Sequence, residues 1–182
     1  MYRMIEFENS VAIEALVSVI DTVRPKGFYF SGEMHDFWEI VFVRSGYAMA
    51  AAEDRLYRLA PGQMLFHKPM EFHRIWADGD SSPHLMNISF KASGSGMNFF
   101  KEKCFCLKPE MFAEYEKIVK SFQKTIFVYE QDSPEYNYSA ELTAANIKLF
   151  LLKLIALNNQ EQHPFSEDES RYQTIMRVMN EH

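Results

Sequence analysis

The chain has 182 residues and a formal charge of −6, a length that suits one domain, or one domain plus an appendage. Apolar residues make up 47 % and charged residues 24 %, which supports a buried core and argues against a disordered chain. No cluster of Lys and Arg is present, so these residues lack the basic face with which a free-standing nucleic-acid binder neutralises phosphates.

Aromatic residues are abundant, at 16 Phe, 9 Tyr and 2 Trp, as expected where large rings fill a β core and line a pocket. Two cysteines, Cys104 and Cys106, cannot build a disulfide framework. Residues 1–10 lack the apolar run of an export signal, and no stretch reaches the ~18 consecutive apolar residues of a membrane span. The expected location is the cytoplasm.

Residues 11–23 are rich in Val and Ile with mixed alternation, which predicts a strand, with a helix start at 13–16 as the alternative. Residues 24–27 are a turn, since Pro25 fixes φ and Gly27 permits positive φ. A short strand follows at 28–30. From Glu33 the parity is informative: Glu33, His35, Phe37, Glu39, Val41 and Val43 fall on one face of a strand. Ile40 and Phe42 make its other face apolar, so it is read as central and covered on both sides. Strands at 47–52 and 56–59 flank a tight turn, and Pro61-Gly62 marks another. Further strands are expected at 64–67, 72–77 and 84–90, then a flexible loop at 91–96 and an edge strand at 104–107. Short strands at this regular spacing indicate an all-β sandwich or barrel.

After Pro109 the apolar period changes from two to about 3.6. Positions 111, 112, 115, 118, 119 and 122 form one helical stripe. Ser133 and Pro134 suit the N-cap and first turn of a second helix, which runs to about residue 157. It carries Leu142, Ala145, Leu149, Leu152 and Ala156 at spacings of three and four, a short coiled-coil-like seam. Residues 158–169 read as a polar linker. A new amphipathic helix begins at 170 and is still running when the chain stops, as in a piece of something longer.

Glu33, His35, Glu39 and His73 are the chemically distinctive set. Carboxylates and imidazoles sharing a face on adjacent strands suit a divalent metal. They equally suit a hydrogen-bonded barrel interior, or the hydroxyls or charge of an organic ligand. The spacing Glu33-x-His35-x-x-x-Glu39, followed by Gly46, resembles the first motif of cupin barrels, and Pro61-Gly62 followed by His73 resembles a loosened second motif. Cupins often hold a metal with three His and one Glu. Here Glu33 stands at the first His position, and no His follows Pro61-Gly62 closely.

The run from His35 to Gly46, then residues 57–64, Pro69, His73 and 86–90, resembles the N-terminal sensing domain of AraC-type transcription regulators. The agreement in order covers about residues 28–90, and the helical pair fits the same layout. The resemblance implies a small-molecule effector bound in the barrel, a homodimer through a helix, and DNA bound by a C-terminal domain that this chain does not contain.

The expected fold is therefore mainly β with C-terminal α: a cupin-like (jelly-roll) β-barrel at 1–108, a helical dimerisation region at 109–160, and a linker with the start of a further helix at 161–182. Ligand contacts are expected from Glu33, His35, Phe37, Glu39, His73 and Trp76. The dimer interface is expected at Leu142, Ala145, Leu149, Leu152 and Ala156. Trp76 suits core or pocket equally, and the parity of Trp38 sends it outside the barrel against a helix. Tyr57, Arg44 and Asn87 are lesser polar candidates with structural roles. Cys104-x-Cys106 reads as ordinary thiols, Gly94-Ser95-Gly96 as a flexible loop, and no Ser, Cys or Lys stands in a nucleophile context. No catalytic residue and no resident cofactor are expected; a divalent metal, if held, would sit on Glu33, His35, Glu39 and His73. The alternative is a small metal-dependent cupin enzyme, a dioxygenase or isomerase.

Overall fold

The computed structural model describes residues 2–158. The expected linker after 158 and the helix at 170–180 lie outside the described residues. Among the described residues the strands are β1 (Ala12–Val23), β2 (Tyr29–Glu33), β3 (Trp38–Ser45), β4 (Ala48–Ala52), β5 (Arg55–Leu59), β6 (Gln63–His67), β7 (His73–Ala77), β8 (His84–Ser93) and β9 (Cys104–Cys106). A 3-10 helix (Ser95–Phe100) precedes β9, and two α-helices follow it, α1 (Pro109–Phe127) and α2 (Pro134–Asn158).

The strands form two antiparallel sheets, ordered β1-β8-β3-β6-β9 and β2-β7-β4-β5. Each sheet interleaves early and late strands of the barrel, and without the short edge strand β9 the order is that of a double-sheet jelly roll, the architecture of cupins. The mainly β, cupin-like fold with C-terminal helices is thus the one the sequence predicts.

β3 shows how the layers are built. Every residue from Trp38 to Val43 is buried, and alternate side chains leave the sheet on opposite faces. Val41 and Val43 face the second sheet, with Ala50, Leu59, Leu65, Ile75 and Leu85. Trp38, Ile40 and Phe42 face the helices, in a core with Met111, Tyr115, Val119, Phe150 and Leu154. Each such side chain contributes ~1.5–3 kcal/mol on full burial, so β3 is held from both faces.

The stripe read on α1 is the face it buries: Met111, Tyr115, Ile118, Val119 and Phe122 are inside, and Phe112 stacks on Phe42 at 5.1 Å. The Tyr115 hydroxyl donates to the Met86 carbonyl at 3.0 Å, which satisfies a polar atom within that apolar layer. Ser133 caps α2, its hydroxyl accepting the Tyr136 N–H at 3.1 Å. α2 turns Ile147, Phe150, Leu151 and Leu154 inward, while Leu142, Ala145, Leu149, Leu152 and Ala156 are exposed. The seam and the stripe that docks α2 on the barrel are therefore different faces. No helix among the described residues is long and apolar enough to cross a membrane.

Two readings of the sequence need correction. Residues 33–43 are not one strand. The chain leaves β2 at Glu33, bends through 34–37 and enters β3 at Trp38. β2 pairs with β7, whereas β3 pairs with β6 and β8, so Glu33 and Glu39 come from opposite sheets. Residues 91–96 are not a flexible loop: β8 continues to Ser93 and the 3-10 helix begins at Ser95. Gly94 makes the break, with φ of +109° and no room for a Cβ, which would collide with the Ser10 carbonyl. The mixed alternation of β1 has a similar local cause, two register shifts against β8 between Ile13 and Ala15 and between Leu16 and Ser18.

Candidate functional site

Four side chains converge at one end of the barrel. Glu33 ends β2 opposite His73 on β7, His35 lies in the bend, and Glu39 lies on β3 opposite Ser89 of β8 and His67 of β6. The Glu33 carboxylate is 4.0 Å from His35 Nε2 and 3.8 Å from His73 Nε2. One donor atom from each of Glu33, His35, Glu39 and His73 lies within 4.8 Å of the others. Their gathering matches the sequence expectation, although the strand parity behind that expectation was not its cause.

Both imidazoles are oriented by backbone carbonyls. His35 Nδ1 is 3.0 Å from the Phe37 carbonyl, and His73 Nδ1 is 3.0 Å from the Glu71 carbonyl. A carbonyl only accepts, so Nδ1 carries the hydrogen and each neutral ring keeps its Nε2 lone pair. Both Nε2 atoms are buried and without a partner, an arrangement that costs free energy unless a ligand fills it. Stacking fixes the ring planes: Phe37 lies on His35 at 3.7 Å, and His67 on His73 at 4.2 Å. Burial holds both imidazoles below the usual histidine range. Repulsion from His73 adds to this for His35, and from His67 for His73, and together these outweigh attraction to Glu33. Near neutral pH both are acceptors.

Glu39 is only 9 % exposed. It accepts hydrogen bonds from Ser89 Oγ at 3.2 Å and Asn87 Nδ2 at 3.4 Å. Burial, and secondarily the Glu33 charge, push its carboxyl up to about 7. At neutrality this carboxylate is poised to take up either a proton or another cation.

Sequence reasoning missed the support beneath these groups. His67 and Glu71 are buried, with His67 Nδ1 3.1 Å from Glu71 Oε2. Burial lowers the His67 pKa; Glu71, although burial pushes it up, is brought net below its usual range by His67 and Lys68. The pair is thus a neutral imidazole donating to a carboxylate. Glu71 also holds His73 through its carbonyl, and the Met70 N–H donates to the His35 carbonyl at 2.7 Å. The turn at 68–72 therefore fastens both site histidines, helped by Met70 at φ +61°. A glycine at that left-handed position would have announced the turn; a methionine hides it. Pro61-Gly62, read as part of the site motif, instead joins β3 and the chain after β9, through Gly62 N–H to Val43 O and Leu107 N–H to Gly62 O.

Trp76 requires correction. His73, Ile75 and Ala77 of β7 point inward, so Trp76 points out of the barrel, where it meets Tyr29 at 6.3 Å and the Arg74 guanidinium at 5.6 Å. Phe37 remains at the site as the platform of His35. Trp38 packs against the helices as read. Asn87 reaches the site through Glu39, Arg44 pairs with Glu116 at 2.5 Å, and Tyr57 fills the inter-sheet core. Cys104 is half-buried and Cys106 exposed.

Beyond the four-residue cluster the barrel interior is packed with Val41, Val43, Leu59, Leu65, Ile75 and Leu85. Two grooves lie elsewhere, one of about 420 Å³ between β1 and the helices and one of about 410 Å³ beside Tyr138 and Leu142 of α2. Two imidazole nitrogens and two carboxylates are a donor set that a first-row divalent ion accepts. The 3.8 and 4.0 Å separations, and the outermost one of 4.8 Å, exceed the ~3.4 Å of tetrahedral ligands with bonds of ~2.1 Å, so coordination needs contractions of about 0.4 to 1.4 Å.

Residues 15–94 match the family model of the AraC-like ligand binding domain. The match runs from within β1 to just past β8, and so covers most of the barrel. Solved structures similar to this chain include a cupin superfamily protein from Desulfitobacterium hafniense, with 19 % identity over 48 % of this chain and 84 % of that one, at a TM-score of 0.38. A cupin protein from Bacteroides fragilis has 21 % identity over 50 % and 84 %, at 0.39. A variant of Bacillus subtilis oxalate decarboxylase has 16 % identity over 40 % of this chain, at 0.35, and the chain spans only 20 % of its length. No curated protein matches the sequence.

Proposed function

We propose that this chain is the effector-sensing and dimerisation part of a cytoplasmic AraC-type transcription regulator, and that it catalyses no reaction. A small molecule docks on Glu33, His35, Glu39 and His73, with Phe37 behind His35. Two copies pair through Leu142, Ala145, Leu149, Leu152 and Ala156 of α2, whose exposed apolar side chains support a twofold interface. DNA is contacted by a further C-terminal domain and not by these acidic residues.

One observation carries this reading: two buried imidazole Nε2 atoms without partners face two carboxylates, in a barrel that matches a ligand-binding family. The test is a thermal-shift screen of small molecules against the chain and its His35→Ala/His73→Ala variant. A compound that raises the melting temperature of the parent only, and is recovered unchanged after long incubation, is the expected result. Conversion of that compound into a product would refute the non-catalytic assignment.

The donor set supports a second reading, a metal-dependent cupin enzyme. Glu33, His35, Glu39 and His73 would hold the ion, which when bound would supply Lewis acidity. Metal analysis of protein purified without added metal separates the two. Near-stoichiometric iron, manganese or zinc that is lost in His35→Ala favours the enzyme.

A further inference from the structure

We propose that the ligand is an organic ammonium ion with an apolar body; this rests on the small-molecule-sensing reading above. The first reason is the hydrogen-bonding character of the site. The carboxylates of Glu33 and Glu39 accept, and so do the Nε2 atoms of His35 and His73, whose Nδ1–H groups are spent on carbonyls. Ser89 Oγ and one N–H of Asn87 Nδ2 donate to Glu39. A carboxylate or phosphate ligand would meet the Glu33 carboxylate and, in a cluster of two carboxyls and two Nε2 lone pairs, no N–H group. A sugar would bring donors, but its hydroxyl oxygens would find no free N–H on Glu33, His35, Glu39 or His73 to accept from. An ammonium group brings three donors and a positive charge, and needs no acceptor in return.

The second reason is size. The four acceptor atoms lie up to 4.8 Å apart. A metal with bonds of ~2.1 Å cannot bridge atoms farther apart than about 4.2 Å. An ammonium nitrogen with hydrogen bonds of ~2.8 Å spans that separation without movement.

The third reason is the surroundings. The barrel beyond the cluster is filled by apolar side chains, aliphatic ones with Tyr57, so only a small head group enters. Met34, Met70 and Phe72 adjoin the site in the chain and are 57 %, 61 % and 46 % exposed. Met70 is tied to His35 through the backbone, and the Phe72 ring lies over Gly32, where a Cβ would come within 2.6 Å of it. Large apolar side chains exposed around a polar centre mark a binding surface, and methionine adapts to varied apolar shapes. The ammonium enters and the apolar body stays on this rim.

Calorimetry on the 182-residue chain, dialysed against chelator, tests the proposal with 2-phenylethylammonium, its neutral N-acetyl amide, 3-phenylpropionate, methylammonium and zinc chloride. The amide and the carboxylate should bind at least 30-fold more weakly than 2-phenylethylammonium, and methylammonium at least tenfold more weakly. Glu39→Gln should lose at least tenfold for both ammonium ions with its circular dichroism unchanged. Met34→Ser/Phe72→Ser should abolish the advantage of the phenyl body while leaving methylammonium unaffected. Equal binding of the amide or carboxylate, no binding of any amine, or binding of zinc alone overturns the proposal; a different compound bound through His35 and His73 would then leave the sensing reading standing. Chemical conversion of the bound amine sinks the sensing reading instead and leaves the ammonium assignment intact.

Discussion

Glu39→Gln should make the protein more stable, and only above about pH 4.5. The carboxyl of Glu39 rises from 4.5 to about 7 in the folded chain, chiefly through burial and then through Glu33. Between those values the folded state binds a proton that the unfolded state has released, so stability is full below pH 4.5 and falls as pH rises through 7. At about 1.4 kcal/mol for each of roughly 2.5 pH units, the loss approaches 3 kcal/mol by pH 8. Glutamine carries no proton to lose, and its amide keeps both partners, with its oxygen accepting from Asn87 and its NH2 donating to Ser89 Oγ. Glu33, His35 and His73 also face this position in both proteins, so comparing the two cancels most of their effect. Urea unfolding of parent and variant at pH 4.5, 6 and 8, with chelator present, should give equal stabilities at pH 4.5 and a gain of about 3 kcal/mol for the variant at pH 8. A gain that is the same at all three values, or absent at pH 8, would refute the claim that Glu39 is destabilised by its own charge.

Three further outcomes follow from the same geometry. Gly32→Ala should cost about 2–4 kcal/mol by urea unfolding and weaken ligand binding, since φ is +110° and the new Cβ would lie 2.6 Å from the Phe72 ring and 2.8 Å from the His73 carbonyl. Glu71→Ala should cost about 2–4 kcal/mol, because it strands the buried His67 Nδ1–H and removes a partner of Lys68; a loss under 0.5 kcal/mol would show that the turn does not depend on this pair. Leu149→Glu/Leu152→Glu changes side chains that are 51 % and 36 % exposed, so thermal stability should hold within about 0.5 kcal/mol while light scattering reports monomers. A double variant that stays dimeric would place the interface elsewhere.

The sequence carried the fold well, because turn residues and period-two alternation are local signals, and the change to a 3.6 period after Pro109 marked both helices. It singled out four residues that the fold gathers, but not the reason they meet. Parity holds only within an unbroken strand, and residues 34–37 break it; Glu33 and Glu39 are brought together by the closing of two sheets. Trp76 shows the same limit in reverse, since its face depends on which way His73 points, and that is settled only by pairing. The supporting residues were hidden by distance or by type. Ser89 and Asn87 stand about fifty residues from Glu39. His67 and Glu71 are close in sequence, but their pairing depends on a left-handed methionine that no turn rule predicts.

The placement of Glu39 bears on how a bound ligand could be felt elsewhere. Its side chain points into the barrel, while Trp38 and Ile40, its neighbours on either side in β3, point into the core shared with α1 and α2. A strand that is buried on both faces cannot shift one set of side chains without moving the other, because close-packed cores transmit displacement instead of absorbing it. A cation held between Glu33, Glu39 and the two Nε2 atoms would therefore favour one position of β3, and with it one position of the surface where the helices rest. That surface fixes α2, and α2 presents the exposed seam of Leu142, Leu149 and Leu152. Such coupling produces a signal only if the ligand binds one arrangement of strand and helices more tightly than another. The unpartnered Nε2 atoms and the charge-destabilised Glu39 supply a source for that difference, since both costs are present without ligand and removed with it.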